Sequence, residues 1–326
     1  MLLTDNFSNN QIKKAVMMSD ICSAEHYFRS GELDRILKNI SFEVLMGEAV
    51  GITAKVKQEA RLLLEILANV RPYYSGKCVL AEKGMMQKKR LILPHLFYID
   101  TPNMLYDNMT VLEFLVFVTS YSGISLKNRQ KKHLDTLIEY GLDYIALSQI
   151  ADLSDTEKLI IELLAAADSN STLVVFNVLE YDFTDSQVRS IMKICSYIKE
   201  RGSIVIGTNQ PKLIGVCCDK VAYVLEGSIH FFGSVADLCR TWDKVLYLIS
   251  DSNPKAVAET LAKSYSNYTY VTHGNSILVY NYSDSRLTDS EFLRILFENG
   301  ISPDNIKINK GRVENSLEEL NRLHDL

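Results

Sequence analysis

The chain has little that would suit it to nucleic acid, to a disulfide framework or to spanning a membrane. Its 326 residues carry a formal net charge of -5, whereas a general nucleic-acid binder needs Lys and Arg clustered on one face. Its six cysteines include no C-x-x-C pair, so we expect reduced thiols and a cytosolic protein. No apolar run approaches the ~20 residues that cross a bilayer, so membrane contact should come through a partner.

Hydrophobic residues make up 47% of the chain, which is enough for a packed core and, at this length, for two domains. From about residue 20 onward, short apolar runs alternate with helical patterns, which indicates a largely parallel sheet covered by helices. We predict an N-terminal extension over 1–17, an α/β domain over 18–242 and a smaller domain over 243–326. The predicted central strands are 49–52, 173–176, 204–206 and 221–225.

Two further patterns refine this organisation. Apolar positions at helical spacing predict a helical subdomain over about 106–168, inserted between the early and late strands. After Trp242 the runs read strand, helix, strand, strand, helix, strand, which is the β-α-β-β-α-β order of a ferredoxin-like α+β domain. Gly274-Asn275 between the two middle strands predicts a tight hairpin turn.

Four stretches of the first domain carry a resemblance to a known family. Residues 36–51, with Gly47-Glu48 ahead of an apolar run, are similar to the strands that lead into the phosphate loop of ABC transporter ATP-binding subunits. Residues 71–76, 109–113 and 218–234 resemble later parts of the same scaffold. The region from about 245, including 314–320, resembles the accessory domain of drug- and peptide-exporter subunits. The resemblance implies an ABC ATPase core of the P-loop NTPase type: a mostly parallel sheet, an antiparallel subdomain and a helical insert.

The family's phosphate loop, G-x-x-x-x-G-K-[ST], falls on residues 54–61 and keeps none of its defining residues. Glycines there let backbone N–H groups converge on phosphates, lysine pairs with phosphate oxygens and the hydroxyl holds Mg²⁺. An ordinary strand–turn–helix therefore fits better, although the basic residues leave open anion binding in another geometry. Tyr27 or Phe28 stands where the family stacks an aromatic ring on adenine, with packing as the alternative. The degenerate loop positions are Ala54, Lys55, Lys57, Glu59, Ala60 and Arg61.

The residues that the family has at the metal, base and switch positions are also replaced in this sequence. Asn177 stands for the aspartate that holds the magnesium's water shell, and Val178 for the glutamate that activates water, so no metal ligand and no catalytic base is expected. Glu180 follows two positions later, where in-line phosphoryl transfer would not use it. Asn209 occupies the place of the switch histidine.

The signature L-S-G-G-Q falls on residues 153–157 and retains only its leucine and serine. Ser154 and Glu157 ahead of an apolar run also form a capping box, which would start a helix by itself. Asp155 places a carboxylate where a glycine amide would approach the γ-phosphate of a partner's nucleotide. The signature position of this chain would therefore weaken nucleotide binding at the composite site that it forms with a partner subunit.

Together these replacements predict a non-hydrolysing subunit that pairs with an active ABC ATPase subunit, as a homodimer or heterodimer, and with a membrane permease. The expected location is cytoplasmic, peripheral to the inner face of the cell membrane. No cofactor is expected, with weak Mg-ATP binding left open, and no nucleic acid. Two alternatives remain: residual ATP hydrolysis that uses Ser154 in a composite site, and a soluble scaffold unrelated to transport.

Overall fold

The computed structural model describes most of the chain and assigns its strands and helices. The described residues are 14–23, 26–27, 33–34, 36–80, 83–84, 95–102, 105–120, 124–169, 171–282, 287–309 and 312–322. The strands are β1 (Lys14–Ser23), β2 (His26–Tyr27), β3 (Leu33–Asp34), β4 (Leu37–Leu45), β5 (Ala49–Ala54), β6 (Ser75–Leu80), β7 (Lys83–Gly84), β8 (Leu96–Ile99), β9 (Leu173–Asn177), β10 (Ser203–Gly207), β11 (Lys220–Leu225), β12 (Ser228–Ser234), β13 (Val245–Ser250), β14 (Thr269–His273), β15 (Ser276–Tyr280) and β16 (Asn305–Ile308).

The helices alternate with these strands along most of the chain. In the described residues none of them is both long enough and apolar enough to span a membrane. They are α1 (Lys57–Leu67), α2 (Val111–Val118), α3 (Leu126–Tyr140), α4 (Asp155–Ala167), α5 (Asp185–Lys199), α6 (Pro211–Cys217), α7 (Val235–Trp242), α8 (Pro254–Ser264), α9 (Asp289–Glu298) and α10 (Val313–Arg322).

The chain divides into two compact units, Met1–Ser234 and Val235–Leu326. Helix α7 belongs to the second unit because it packs against α10. The division therefore falls eight residues before the boundary predicted at Trp242, at the start of α7 rather than at its end.

A six-stranded sheet forms the centre of the first unit, in the order β12-β11-β5-β10-β9-β8. Strands β11, β5, β10, β9 and β8 are parallel, and β12 pairs antiparallel with β11. Every residue of β5, β9 and β10 is buried, as parallel strands covered on both faces require. The predicted mostly parallel sheet is confirmed.

A second, antiparallel sheet of the first unit has the order β4-β1-β6-β7. Strand β1 begins at Lys14, and Ala15 and Val16 are fully buried. The last four residues of the segment predicted as an extension over 1–17 thus belong to a strand, while residues 1–13 lie outside the described part of the chain. The antiparallel subdomain implied by the family resemblance is confirmed.

The helical subdomain predicted over about 106–168 contains α2, α3 and α4. Thr110 begins α2 with a capping box, because its hydroxyl accepts the Glu113 backbone N–H while the Glu113 carboxylate accepts the Thr110 backbone N–H. Gly141 ends α3 with a φ of 73°, a left-handed conformation that glycine adopts without strain. Both helix limits follow from local sequence chemistry.

The second unit contains β13-α8-β14-β15-α9-β16 between α7 and α10. Its antiparallel sheet has the order β14-β15-β13-β16, which is that of a ferredoxin-like fold, so this prediction is also confirmed. Its core includes Tyr247 and Phe292, whose rings stack with centroids 4.1 Å apart. Gly274 in the predicted hairpin turn has a φ of 57°.

Candidate functional site

The carboxyl ends of three neighbouring parallel strands form the edge at which the predicted site residues meet. Strand β10 lies between β5 and β9, and Gly207 at its end is in register with Ile52 and with Asn177. The connections that leave β5, β9 and β10 contain the degenerate phosphate loop, the metal and base positions, and the switch position. In an open α/β sheet this edge is the usual place for a ligand.

The connection from β5 to α1 is a turn of two residues, Lys55 and Val56. Both are exposed, and Val56 caps the helix without a side-chain hydrogen bond. Residues 57–61, which are the last five of the eight positions of the phosphate-loop motif, are the first five residues of α1. The strand–turn–helix favoured by the sequence is therefore present, and helix occupies the stretch of chain that would cradle phosphates.

Two of the replaced loop positions face the protein interior. Ala60, at the position of the family's lysine, is fully buried among the apolar residues of α1 and the central sheet. The half-buried Glu59 accepts the Gly227 backbone N–H at 3.0 Å, and the Gly227 carbonyl accepts the Lys38 backbone N–H at 2.7 Å. Glu59 thus ties the first turn of α1 to the β11–β12 hairpin.

Burial raises the pKa of Glu59 above its usual 4.5, against an opposing contribution from the Gly227 hydrogen bond. Its second carboxylate oxygen, Oε2, is buried and accepts no hydrogen bond from the described residues. The Glu59 side chain therefore has a structural role, because it connects α1 to the β11–β12 hairpin. Burying its charged form lowers the stability of the fold.

Two basic side chains of the loop, Lys57 and Arg61, form ion pairs. Lys57 Nζ lies 3.1 Å from Glu180 Oε2, which joins α1 to the segment after β9. The Glu65 carboxylate, with only 10% of its side chain exposed, pairs with Arg61 at 3.2 Å and with Arg71 at 2.6 Å. These groups line an open cavity of about 550 Å³ whose walls hold both signs of charge, namely Val56, Lys57, Gln58, Arg61, Leu62, Glu65, Arg71 and Glu180.

The metal and base positions lie at the end of β9. Asn177 is buried, and its amide donates to Tyr98 Oη at 3.4 Å. Burial raises the pKa of Tyr98 to about 12, so its phenol is neutral at physiological pH. Val178 is fully buried, with its backbone N–H bonded to the Gly207 carbonyl at 2.8 Å. Neither side chain can take a proton from water, and the neighbouring carboxylate of Glu180 is paired with Lys57.

The switch position belongs to the same hydrogen-bonded edge. Asn209 Oδ1 accepts from the Thr53 hydroxyl at 2.8 Å and lies 3.4 Å from the backbone nitrogen of Ala54. Asn209 therefore joins the segment after β10 to the last residues of β5. The structure thus places Ala54, Asn177 and Asn209 at the same edge of the central sheet.

The signature position begins α4, where Ser154 is the N-cap. Its hydroxyl accepts the Glu157 backbone N–H at 3.4 Å and donates to Glu157 Oε2 at 2.7 Å, while the Ser154 backbone N–H donates to the same carboxylate at 3.0 Å. The predicted capping box is confirmed. The exposed Asp155 is the first helical residue and places its charge at the amino end of the helix.

The predicted adenine stacker is Tyr27 or Phe28. The backbone of Tyr27 lies in the two-residue strand β2, which pairs with β3. The side chain of Tyr27 and the whole of Phe28 lie outside the described part of the chain. This part of the site stays a prediction.

Comparison with known proteins adds family relationships to this geometry. The chain is 24% identical over 220 residues to an uncharacterised ABC transporter ATP-binding protein of Methanocaldococcus jannaschii, covering 66% of this chain and 78% of that protein. It is 21% identical over 221 residues to the methionine import ATP-binding protein MetN of Clostridium tetani, covering 63% of this chain and 66% of that protein. No protein-family model matches.

A solved structure agrees in fold. The structure of cbiO1 from Clostridium perfringens, part of the ABC transporter complex cbiONQ, superposes with a TM-score of 0.58 at 15% identity, covering 78% of this chain and 96% of that one. These similarities identify an ABC transporter ATP-binding domain in this chain. The domain's scaffold is therefore established, whereas its chemistry depends on the residues at the strand ends.

The sequence did not reveal which residues hold the loop region of this ATP-binding domain together. Glu65 and Arg71 were not singled out, although the spacing of Arg61 and Glu65 is the i,i+4 arrangement that pairs charges on a helix. The contact of Glu59 with Gly227 joins residues far apart in the chain, and no local pattern in the sequence indicates it.

Proposed function

We propose that this chain is a degenerate ATP-binding-domain subunit of an ABC transporter, which does not hydrolyse ATP and acts as a structural or regulatory partner. It would pair with a different, active ATPase subunit and with a membrane permease. The relatives named as transporter ATP-binding proteins, and the solved relative that is part of a transporter complex, support the transport role.

One observation carries the non-hydrolysing part of the proposal: β5 connects to α1 through only two residues. A phosphate cradle needs several consecutive backbone N–H groups turned toward one point, supported by glycines. Here the corresponding residues are helical, one of them is buried, and the charged ones are tied to carboxylates or to Gly227. A nucleotide would have to break these contacts before its phosphates could be held.

The other positions support the same conclusion. A hydrolytic site needs a carboxylate or similar base within reach of the attacking water. The base position is the buried Val178, and the metal position is the neutral Asn177. Because both side chains are packed or hydrogen-bonded, they contribute to the stability of the sheet edge rather than to catalysis.

The effect on a partner's ATP site would be to restrain it. The Ser154 hydroxyl is already used within its own capping box. In a head-to-tail pair, the exposed carboxylate of Asp155 would approach the partner's γ-phosphate, and like charges ~5 Å apart repel by roughly 3 kcal/mol at an effective dielectric constant near 20. This arrangement disfavours the alternative in which Ser154 completes a working composite site.

The proposal is tested on the intact complex. Gentle detergent extraction of cells that carry an affinity-tagged chain should recover a permease together with an ATPase subunit that has an intact phosphate loop. Replacing the loop lysine of that ATPase subunit should abolish all ATP turnover by the complex, whereas Ser154→Ala in this chain should leave turnover unchanged. Turnover that survives the lysine replacement, or co-purification without a membrane subunit, would contradict the proposal.

A further inference from the structure

Three helices of the helical subdomain meet at a buried histidine. His133 of α3 is fully buried, and its Nε2 lies 2.8 Å from Oγ1 of Thr119, the residue that ends α2. Its Nδ1 lies 3.7 Å from Oδ2 of Asp168, the residue that ends α4. The imidazole of α3 therefore contacts both neighbouring helices, one through each ring nitrogen.

The hydrogen bonds around Thr119 determine which ring nitrogen carries the hydrogen. A threonine hydroxyl has one hydrogen, and Thr119 donates it to the Leu115 carbonyl at 2.7 Å. The contact between Thr119 and His133 then needs a hydrogen from the ring, which places that hydrogen on Nε2. In the neutral ring Nδ1 is an acceptor, and it is buried without a hydrogen-bond donor in the described part of the chain. Nδ1 is thus the open position for one more proton.

The surroundings of the ring oppose that proton. Burial lowers the pKa of His133 below its usual 6.5, against an opposite contribution from the Asp168 carboxylate, and the cations of Lys132 and Arg129 lower it further. Lys132 Nζ also lies 2.8 Å from Asp168 Oδ1, so this carboxylate is already paired with a cation. Helix α2 contributes only an uncharged hydroxyl. Among the described residues, α5 and the turn at 143–145, which also contact α3, contribute no charge that acts on the ring.

We propose that His133 is a proton-sensitive joint: the neutral ring holds α3 against α2 and α4, and a proton bound at Nδ1 in mildly acid solution favours an opened helical subdomain. In the opened subdomain water reaches the ring, which then binds a proton near its usual pKa of 6.5, whereas the closed subdomain binds it only at lower pH. The closed form therefore has its full advantage above pH 6.5 and loses it as the pH falls below that value. Because Ser154 begins α4, the pH would also act on the signature position.

Hydrogen exchange of the full chain tests this joint, with the backbone N–H of the buried Leu137 in α3 as the probe. After correction for the intrinsic exchange rate, its opening constant should rise by up to about tenfold per pH unit below pH 6.5. His133→Gln keeps an amide donor for Thr119 but cannot titrate, so it should lose this pH dependence. The matched control is His230→Gln, which replaces an exposed histidine of the same unit and should keep the wild-type dependence.

Nitrogen NMR of the wild-type ring makes the test independent of how the variants fold. The hydrogen should be on Nε2 of His133, with Nδ1 bare, and the ring of the native protein should still be mainly neutral at pH 6.5. A hydrogen on Nδ1 of the neutral ring would overturn the proposal, as would a ring that is mainly charged at that pH. Equal pH dependence of the opening constant in wild type and His133→Gln would also overturn it. None of these outcomes depends on whether the chain binds ATP, so the proposed function is tested separately.

Discussion

Replacing Gly227 with alanine should destabilise the first unit more than the same substitution at a glycine of similar conformation whose surroundings are open. Gly227 lies in the β11–β12 turn with a φ of 77°, and an added Cβ would lie 2.0 Å from the carbonyl oxygen of Ile36. Because that oxygen belongs to the backbone, the turn must move. It would then lose two hydrogen bonds, one to the carboxylate of Glu59 and one from Lys38.

The expected magnitude follows from these contacts. A left-handed conformation costs a non-glycine residue roughly 1–2 kcal/mol. Each lost hydrogen bond costs about 1 kcal/mol, more where an ionised partner stays buried. The free energy of unfolding should therefore fall by about 3–4 kcal/mol. Gly141→Ala is the matched control, because Gly141 has a φ of 73° in the same unit but nothing within 4 Å of an added Cβ, so only the conformational cost of roughly 1–2 kcal/mol applies.

Urea unfolding followed by circular dichroism measures both variants. If the free energy of unfolding falls by about 2 kcal/mol more in Gly227→Ala than in Gly141→Ala, the hydrogen bonds that join the hairpin turn to β4 and α1 contribute to stability as expected. Equal losses in the two variants would refute it, since the close approach would then contribute nothing beyond the backbone conformation.

Three further predictions concern the site. Glu59→Gln keeps an acceptor for Gly227 and removes a charge whose pKa burial raises, so its stability advantage over wild type should grow as the pH rises above 4.5, measured by urea unfolding across pH. Ser154→Ala should cost about 1 kcal/mol of unfolding free energy by removing the cap of α4. Val178→Glu, which restores the family's base at a fully buried position, should cost more than about 2 kcal/mol and produce no ATP turnover in a phosphate-release assay.

The sequence predicted most of the fold because its signals are local. Periodicity located the parallel strands, the helical subdomain and the order of the second unit. The capping box at Ser154 and the glycine turn at Gly274 followed from side-chain and backbone chemistry within a few residues. The ends of the predicted segments were harder to place. Strand β1 begins inside the segment predicted as an extension, because the polar and charged residues before Ala15 obscure the apolar pattern of Ala15 and Val16 in the sequence.

The sequence proposed the members of the candidate site but not their contacts. The family resemblance supplied Ala54, Asn177 and Asn209 as site positions, and in the structure the parallel strands that carry or precede them end at one edge of the sheet. It could not show that helix α1 starts as early as Lys57, or that Glu59 reaches Gly227, 168 residues further along the chain. Such pairings depend on the sheet order and on side-chain packing, which no single stretch of sequence determines.

Because helix α1 and its ion pairs occupy the region that corresponds to the phosphate loop, this region should not hold a nucleotide for hydrolysis. Isothermal titration of the purified full chain with Mg-ATP, combined with a phosphate-release assay on the same sample and an intact ABC ATP-binding domain as reference, tests this most directly. We expect no micromolar binding and no turnover. Tight Mg-ATP binding accompanied by phosphate release would contradict it.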